Sequence, residues 1–264
     1  MDAEKAEKKG ISRESGIQGR RWKTLHQGYF SHLGIADPLL AAAVSVIAED
    51  RPTVVADVGG GTGFVLQQLA AQHGDSQLRL VDVDLSAKQL AEVGGAIETL
   101  EASALNVRRE DLAVGNGRLV FLMRSLLHYF GRAGLTPVLQ HLRHQMKPGE
   151  ALVHQTACFA DPRDAACANR LYEMMGTDKW YPTEDELRGI LGKSGWHVAQ
   201  VHSAPPLALE SADLSERYQL SETDVESIRS RLEVEFGATP AVFVPKPGGF
   251  IAWLHYAIFI CRAA

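Results

Sequence analysis

Apolar positions along the chain switch between a period near 3.6 and runs of β-branched residues, the patterns of helices and of buried strands. Trp22, Leu25, Tyr29, Phe30 and Leu33, then Leu39, Leu40, Val44 and Ile47, recur at helical spacing. Gly34 and Pro38 interrupt them, which predicts a pair of helices over residues 22–48. The run from Thr53 to Val58 predicts a strand ending in a glycine cluster, Gly59 to Gly63, and Phe64 to Ala70 predicts a helix after it. Leu78 to Asp84 predicts a second strand, and Ser86 caps a helix expected to run towards Leu100. A weaker third strand is expected over Ala104–Arg109.

Arg118–Arg124 predicts a fourth strand, Leu135–Gln145 a helix, and Ala151–Ala157 a fifth strand after the turn at Lys147-Pro-Gly-Glu150. Asp164–Met175 reads as a helix, and Thr183 with Glu186 forms a capping box opening another to about Ser194. Trp196–His202 and Phe250–Cys261 are the last two strands. Between them residues 203–249 read as an insertion: a proline-containing loop, a charged amphipathic helix from Ser221 to Phe236, and a loop holding Pro240, Pro245 and Pro247. Alternating strands and helices predict an α/β fold with a mostly parallel sheet. The expected organisation is a flexible tail over 1–20, a helical cap over 21–50, and one domain over 51–264 that carries the insertion. The insertion is a candidate cover for a pocket or, through the apolar face of its helix, a candidate contact for a second copy.

Composition narrows the function. Of 264 residues, 45% are hydrophobic and 22% charged, which suits a chain with a real core. The formal net charge of -5 leaves no electrostatic footprint for nucleic acid. Cys158, Cys167 and Cys261 are odd in number and lack C-x-x-C spacing, so neither a disulfide framework nor a zinc site is expected. His141-x-x-His144 lacks carboxylate or thiol company, so no metal is expected. The longest apolar run, Phe250–Cys261, falls short of the ~20 residues a membrane span needs, and the first 25 residues hold no apolar signal core. The expectation is a soluble, cytoplasmic protein.

The sharpest chemical signal is Asp57-Val-Gly59-Gly60-Gly61-Thr62-Gly63 at the carboxyl end of the first strand, where open α/β sheets bind ligands. Glycines there permit positive φ and close approach of a ligand to the backbone. A dinucleotide fingerprint also follows a first strand, but its third glycine position falls on Phe64, which would crowd the pyrophosphate. Asp57-x-Gly59-x-Gly61-x-Gly63 resembles motif I of the class I S-adenosylmethionine-dependent methyltransferases. Val83-Asp84-Leu85-Ser86 is similar to the family's ribose-binding acid, and Glu110-Asp111-Leu112 to its adenine-contacting position. Met146-Lys147-Pro148-Gly149 is similar to its turn before the fifth strand, and Trp180 through Trp196 to the region before its sixth.

The resemblance implies a Rossmann-like, doubly wound seven-stranded sheet whose last strand runs antiparallel. It also implies S-adenosylmethionine as methyl donor, bound by Asp57, Gly59, Gly60, Gly61, Gly63, Asp84, Asp111, Leu112 and Arg124, with Tyr29 reaching its methionine end. Arg124-Ser125-Leu126-Leu127-His128-Tyr129 resembles a segment of small-molecule members, and the N-P-P-Y type of tetrapeptide common in nucleic-acid and protein methyltransferases is absent from it. His128 is thus the candidate catalytic group, with Tyr129, His154, His26 and Trp180 as candidate substrate contacts. A macromolecular acceptor, or a protein that keeps the fold and cofactor but has lost transfer, are the alternatives.

Overall fold

A computed structural model of the chain describes residues 25–72 and 77–264, with the side chains of residues 25–27 excepted. The expected tail over 1–20, Trp22 and the His26 side chain lie outside the described residues. A 3-10 turn, Leu25–Ser31, leads into α1, Leu33–Asp50. The break between the two expected helices falls at His32 rather than at Gly34 and Pro38, both of which α1 absorbs.

Among the described residues eight strands form one sheet. They are β1 (Val54–Val58), β2 (Arg79–Asp84), β3 (Glu98–Glu101), β4 (Leu119–Arg124), β5 (Ala151–Ala157), β6 (Trp196–Glu210), β7 (Phe243–Lys246) and β8 (Gly249–Ala263). Their order is β3-β2-β1-β4-β5-β8-β6, with β7 folded back on β8. The first five run parallel, and β8 runs antiparallel to both β5 and β6. This is the expected doubly wound, Rossmann-like topology with one strand more than the seven foreseen.

Every residue of β1 and β5 is buried, as a central strand covered on both faces requires. Val55, Val120, Leu122 and Val153 face α1 and α2 (Phe64–Gln72). The alternate positions Ala56, Phe121, Met123 and Leu152 share a core with α4 (Gly131–His144) and α6 (Glu184–Lys193). A third core lies under the long β6–β8 ribbon, built from α5 (Pro162–Met174), α7 (Ser211–Tyr218), α8 (Glu222–Phe236) and Tyr29.

Four expectations are corrected. The helix after Ser86, α3, ends at Leu90 instead of nearing Leu100, because the chain turns through Gly94 and Gly95, the latter at φ 78°. The third strand is Glu98–Glu101, and Ala104–Arg109 is a turn in which Ser103 accepts the Leu105 N–H. An exposed edge strand carries polar residues and a cross-strand pair, here Arg79 with Glu98 at 2.6 Å, so it lacks an apolar signature.

The proline-containing loop at 203–210 is strand. β6 tolerates Pro205 and Pro206 because it is an edge strand with a register shift between Ala204 and Leu207. Pairing resumes at Leu207 with Leu254 and continues to Glu210 with Ile251, so the supposed insertion extends the sheet. The apolar face of α8, Val225, Ile228 and Leu232, is buried inside the chain, with Arg170 pairing to Glu235 at 3.0 Å beside it. That face is therefore not available to a second copy. Among the described residues no helix is long and apolar enough to cross a membrane.

Candidate active site

The loop after β1 is shaped by what lies against it. Gly59, Gly61 and Gly63 take φ of 75°, 67° and 73°, a region L side chains rarely adopt. Gly60 has an ordinary φ but no room: a Cβ there would lie 2.6 Å from Asp82 Oδ1. At Gly61 a Cβ would meet nothing closer than Gln89 Oε1 at 3.7 Å, so this residue opens onto a cleft. The Gly61 N–H donates to Asp84 Oδ2 at 3.1 Å, and the Ser86 N–H to Asp84 Oδ1 at 2.8 Å. The acid at the end of β2 thus ties the glycine loop to the start of α3.

The cleft encloses about 1220 Å³ out to its open mouth. Asp57, Gly59–Thr62, Asp84, Gln89, Ala102 and Ala104 line one end. The residues after β4, Arg124, Ser125, Leu126 and His128, form its middle. Ser125 takes a left-handed φ of 58°, unusual for a non-glycine residue and of the kind that collects at functional sites. Its N–H is held by Gln155 O at 2.8 Å, and its Oγ lies 2.8 Å from Tyr256 Oη. Tyr172, Lys179, Tyr181, Leu207, Leu209, Arg217, Leu254 and Tyr256 close the far end.

Arg124 clasps the cap. Its guanidinium donates to Gln155 Oε1 at 3.2 Å and to the carbonyls of Phe30 at 3.0 Å and Tyr29 at 3.4 Å. It also lies 5.4 Å from the centre of the Phe30 ring, and Phe30 itself lines the cleft. Tyr29 donates its hydroxyl to Pro205 O at 2.5 Å and stacks on Tyr256 at 5.7 Å. Burial pushes its phenol far above the ordinary range.

Three carboxyl groups share one face of the sheet beneath the loop. Asp57 of β1 is in register with Asp82 of β2, and Asp84 follows two residues on. Asp57 Oδ2 and both Asp82 oxygens are buried without a hydrogen bond from the protein. Burial raises Asp57 well above the usual carboxylate range, against the opposing pull of Arg124, and Asp84 adds to the rise. Asp82 is raised further, first by burial and then by Asp57 and Asp84. Asp84 is raised by burial as well, offset by the N–H groups of Ser86, Gly61 and Leu85.

Of the residues read from the sequence, Asp57, Gly59, Gly60, Gly61, Asp84, Arg124, His128 and Tyr129 line the cleft. The others stand elsewhere. Gly63 packs towards Val93 at the start of α2, and Tyr29 backs the cleft wall. Asp111 is paired with Arg108 at 2.9 Å and Leu112 is buried in the core. Because β3 ends at Glu101, Ala102 and Ala104 occupy the ground assigned to that pair. Trp180 lies over Arg132 at 5.2 Å, away from the cleft. His154 is fully buried in mid-strand, its Nδ1 2.6 Å from Thr156 Oγ1 and its ring stacked on Phe259, and burial lowers its pKa to about 3.

Sequence reasoning missed Tyr172, Lys179, Arg217 and Tyr256. One signal was present: the chain has six tyrosines, and all of them gather here. Tyr129, Tyr172, Tyr181 and Tyr256 line the cleft, while Tyr29 stacks on Tyr256 and Tyr218 meets Tyr172 edge-on at 6.2 Å.

Residues 55–149, which contain the glycine loop, the three acids and β4, match the family model of a methyltransferase domain. The chain carries a methyltransferase domain. Solved structures agree with it in fold. The YcgJ protein from Bacillus subtilis is 11% identical, with 85% of this chain and 97% of that chain covered and a TM-score of 0.60. A Bacillus halodurans protein assigned as a methyltransferase is 15% identical, with 85% and 98% covered and a TM-score of 0.62. Human N-acetylserotonin methyltransferase, crystallised in complex with S-adenosylmethionine, is 11% identical, with 100% and 60% covered and a TM-score of 0.57. No curated protein matches the chain in sequence. In the methyltransferase domain the carboxyl ends of β1, β2 and β4 all open on the one cleft, the place ligands take in sheets of this topology.

Proposed function

We propose that the protein is an S-adenosylmethionine-dependent methyltransferase acting on a small molecule in a reducing cytoplasm. The observation that carries this reading is a single cleft running from the glycine loop and Asp84 to a chamber walled by tyrosines, so that donor end and acceptor end share one cavity. The residues present fit the donor. Gly61 leaves the loop open, the Asp84 carboxylate suits paired ribose hydroxyls, and Ala102 and Ala104 leave space for a flat base.

When bound, S-adenosylmethionine supplies an electrophilic methyl group: an acceptor lone pair forms a bond to its carbon as the carbon–sulfur bond breaks towards sulfur, leaving S-adenosylhomocysteine. The chain's own task is to orient the acceptor and exclude water, and proximity of this kind is worth roughly 7–11 kcal/mol. A small acceptor is supported by the closed far end, where Tyr172, Tyr181 and Arg217 are buried, and by the absence of a basic surplus in the sequence. Three buried, unpaired cysteines support a reducing compartment.

Calorimetric titration with S-adenosylmethionine, S-adenosylhomocysteine and NADH tests the reading. Micromolar binding of the two sulfur nucleosides and none of NADH is the expected result, followed by methyl transfer within an acceptor panel. Donor binding with no transfer to any acceptor would favour a protein that kept the fold without the reaction. Tyr256→Phe gives a finer check. Removing the hydroxyl that holds Ser125 is expected to slow transfer about 10- to 100-fold, as loss of one positioned hydrogen bond does. Single-turnover rates within twofold of the parent would make the pair a packing contact only.

A further inference from the structure

The two ends of the cleft differ in charge. Among the described residues that line it, the acids are Asp57 and Asp84, both beside the glycine loop, and the cations of the far end are Lys179 and Arg217. Arg217 is 7% exposed, an unusual depth for a guanidinium, and lies 5.5 Å from the Tyr218 ring centre. Lys179 Nζ lies 3.2 Å from Tyr218 Oη and 4.4 Å from the Tyr129 ring centre. The two cations come from separate elements, the loop before α6 and the last turns of α7, and meet around one phenol.

Around them the walls are flat or apolar. His128 stacks on Tyr181 at 5.3 Å and 24°, so an aromatic surface lies beside the cleft, and Leu207, Leu209 and Leu254 supply an aliphatic wall. A chamber built for sugars or polyols would offer amides and carboxylates to hydroxyl groups, and this one offers rings, leucines and two positive charges. A guanidinium fork matches a carboxylate bidentately, and tyrosine and imidazole faces pack against a planar ring.

Resting on the methyltransferase reading above, we propose that the acceptor is an aromatic carboxylic acid, its carboxylate held by Arg217 and Lys179 at the far end and its ring lying among the tyrosines. The acid group anchors the ring at the end away from Gly61, which directs the opposite edge of the acceptor back towards Ser125 and the glycine loop. A cationic or polyhydroxylated acceptor would be refused by the same groups. Specificity then comes from the leucines of β6 and the cations of α7 and the 176–183 loop, which lie outside the residues matched by the methyltransferase domain.

The test is binding to the full chain saturated with S-adenosylhomocysteine, using 6-hydroxy-2-naphthoate, its carboxamide and trans-4-hydroxycyclohexanecarboxylate as probes. The naphthoate is expected to bind at least tenfold more tightly than either comparison compound. Arg217→Gln and Lys179→Gln are each expected to bring the acid-to-amide ratio close to one. Arg217 is buried, so melting temperature is recorded for both variants, and half-buried Lys179 carries the test if Arg217→Gln fails to fold. Equal binding of acid and amide, tighter binding of the amide or the saturated ring, or no binding of any probe to a protein that binds S-adenosylhomocysteine overturns the proposal. Failure to bind S-adenosylhomocysteine overturns the methyltransferase reading instead.

Discussion

Gly61→Val is expected to weaken S-adenosylhomocysteine binding by more than about 100-fold while leaving a folded protein. The two halves of that expectation have separate causes. A Cβ at Gly61 meets no protein atom closer than 3.7 Å, so the isopropyl group has somewhere to go, and that space is the cleft. The backbone φ of 67° costs a β-branched residue on the order of 1–2 kcal/mol, which a core of this size tolerates. The valine also crowds the Gly61 N–H that Asp84 orders, so loop and acid are disturbed together. Gly95→Ala is the matched control: φ is 78°, nothing lies within 4 Å, and it is not among the cleft residues. It should carry similar backbone strain with binding retained. Calorimetry on both variants, with circular dichroism to verify folding, decides the matter. If Gly61→Val binds within threefold of the parent, the glycine loop is not the donor site.

What the sequence could disclose follows from how each element is stabilised. β1, β4 and β5 are buried on both faces, so apolar residues dominate their first positions and their bounds could be read to within a residue or two. The capping box at Thr183 is a local device, a side chain bonded to a backbone three residues on, and the helix starts where it says. β3 is stabilised by pairing with β2 and by Arg79–Glu98, neither of which leaves an apolar period. β6 passes through two prolines only because an edge and a register shift absorb their missing donors, and both are properties of the neighbours.

The site divides the same way. Gly59–Gly63 are legible because the loop must turn and open within seven residues, and local geometry imposes residue types; Asp84 is legible only through the resemblance of Val83-Asp84-Leu85-Ser86 to the family's ribose-binding segment. The far end of the cleft, the proposed acceptor chamber, is assembled from Tyr172, Lys179, Tyr181, Arg217 and Tyr256, which lie on four different elements and loops. No spacing along the chain encodes that assembly. His154 shows the converse: a histidine in an apolar strand reads as a candidate substrate contact, and full burial against Phe259 and Thr156 makes it a core side chain.

Asp82→Asn is expected to stabilise the ligand-free protein at pH 8 by on the order of 3 kcal/mol, roughly 6–12 °C in melting temperature, and to change little near pH 4.5. Asp82 is fully buried, takes no hydrogen bond from the protein, and faces Asp57 and Asp84 on the same side of the sheet. Burial and both neighbouring carboxyls raise its folded pKa, so the folded state holds a proton that the unfolded chain gives up near the ordinary carboxylate value of 3.8. Where the folded state binds more protons than the unfolded one, stability falls as pH rises, from about pH 4 upward through the raised folded value. The amide is neutral throughout and removes that loss. His154 works in the opposite sense. Held neutral by burial, it adds stability as pH rises from about 3 to 6.5, so the wild-type profile alone mixes the two effects. The difference between parent and variant cancels it. Chemical denaturation of both proteins from pH 4.5 to 8.5 measures that difference, and a gap that stays flat or reverses with pH would show that Asp82 ionises as freely in the folded chain as in the unfolded one.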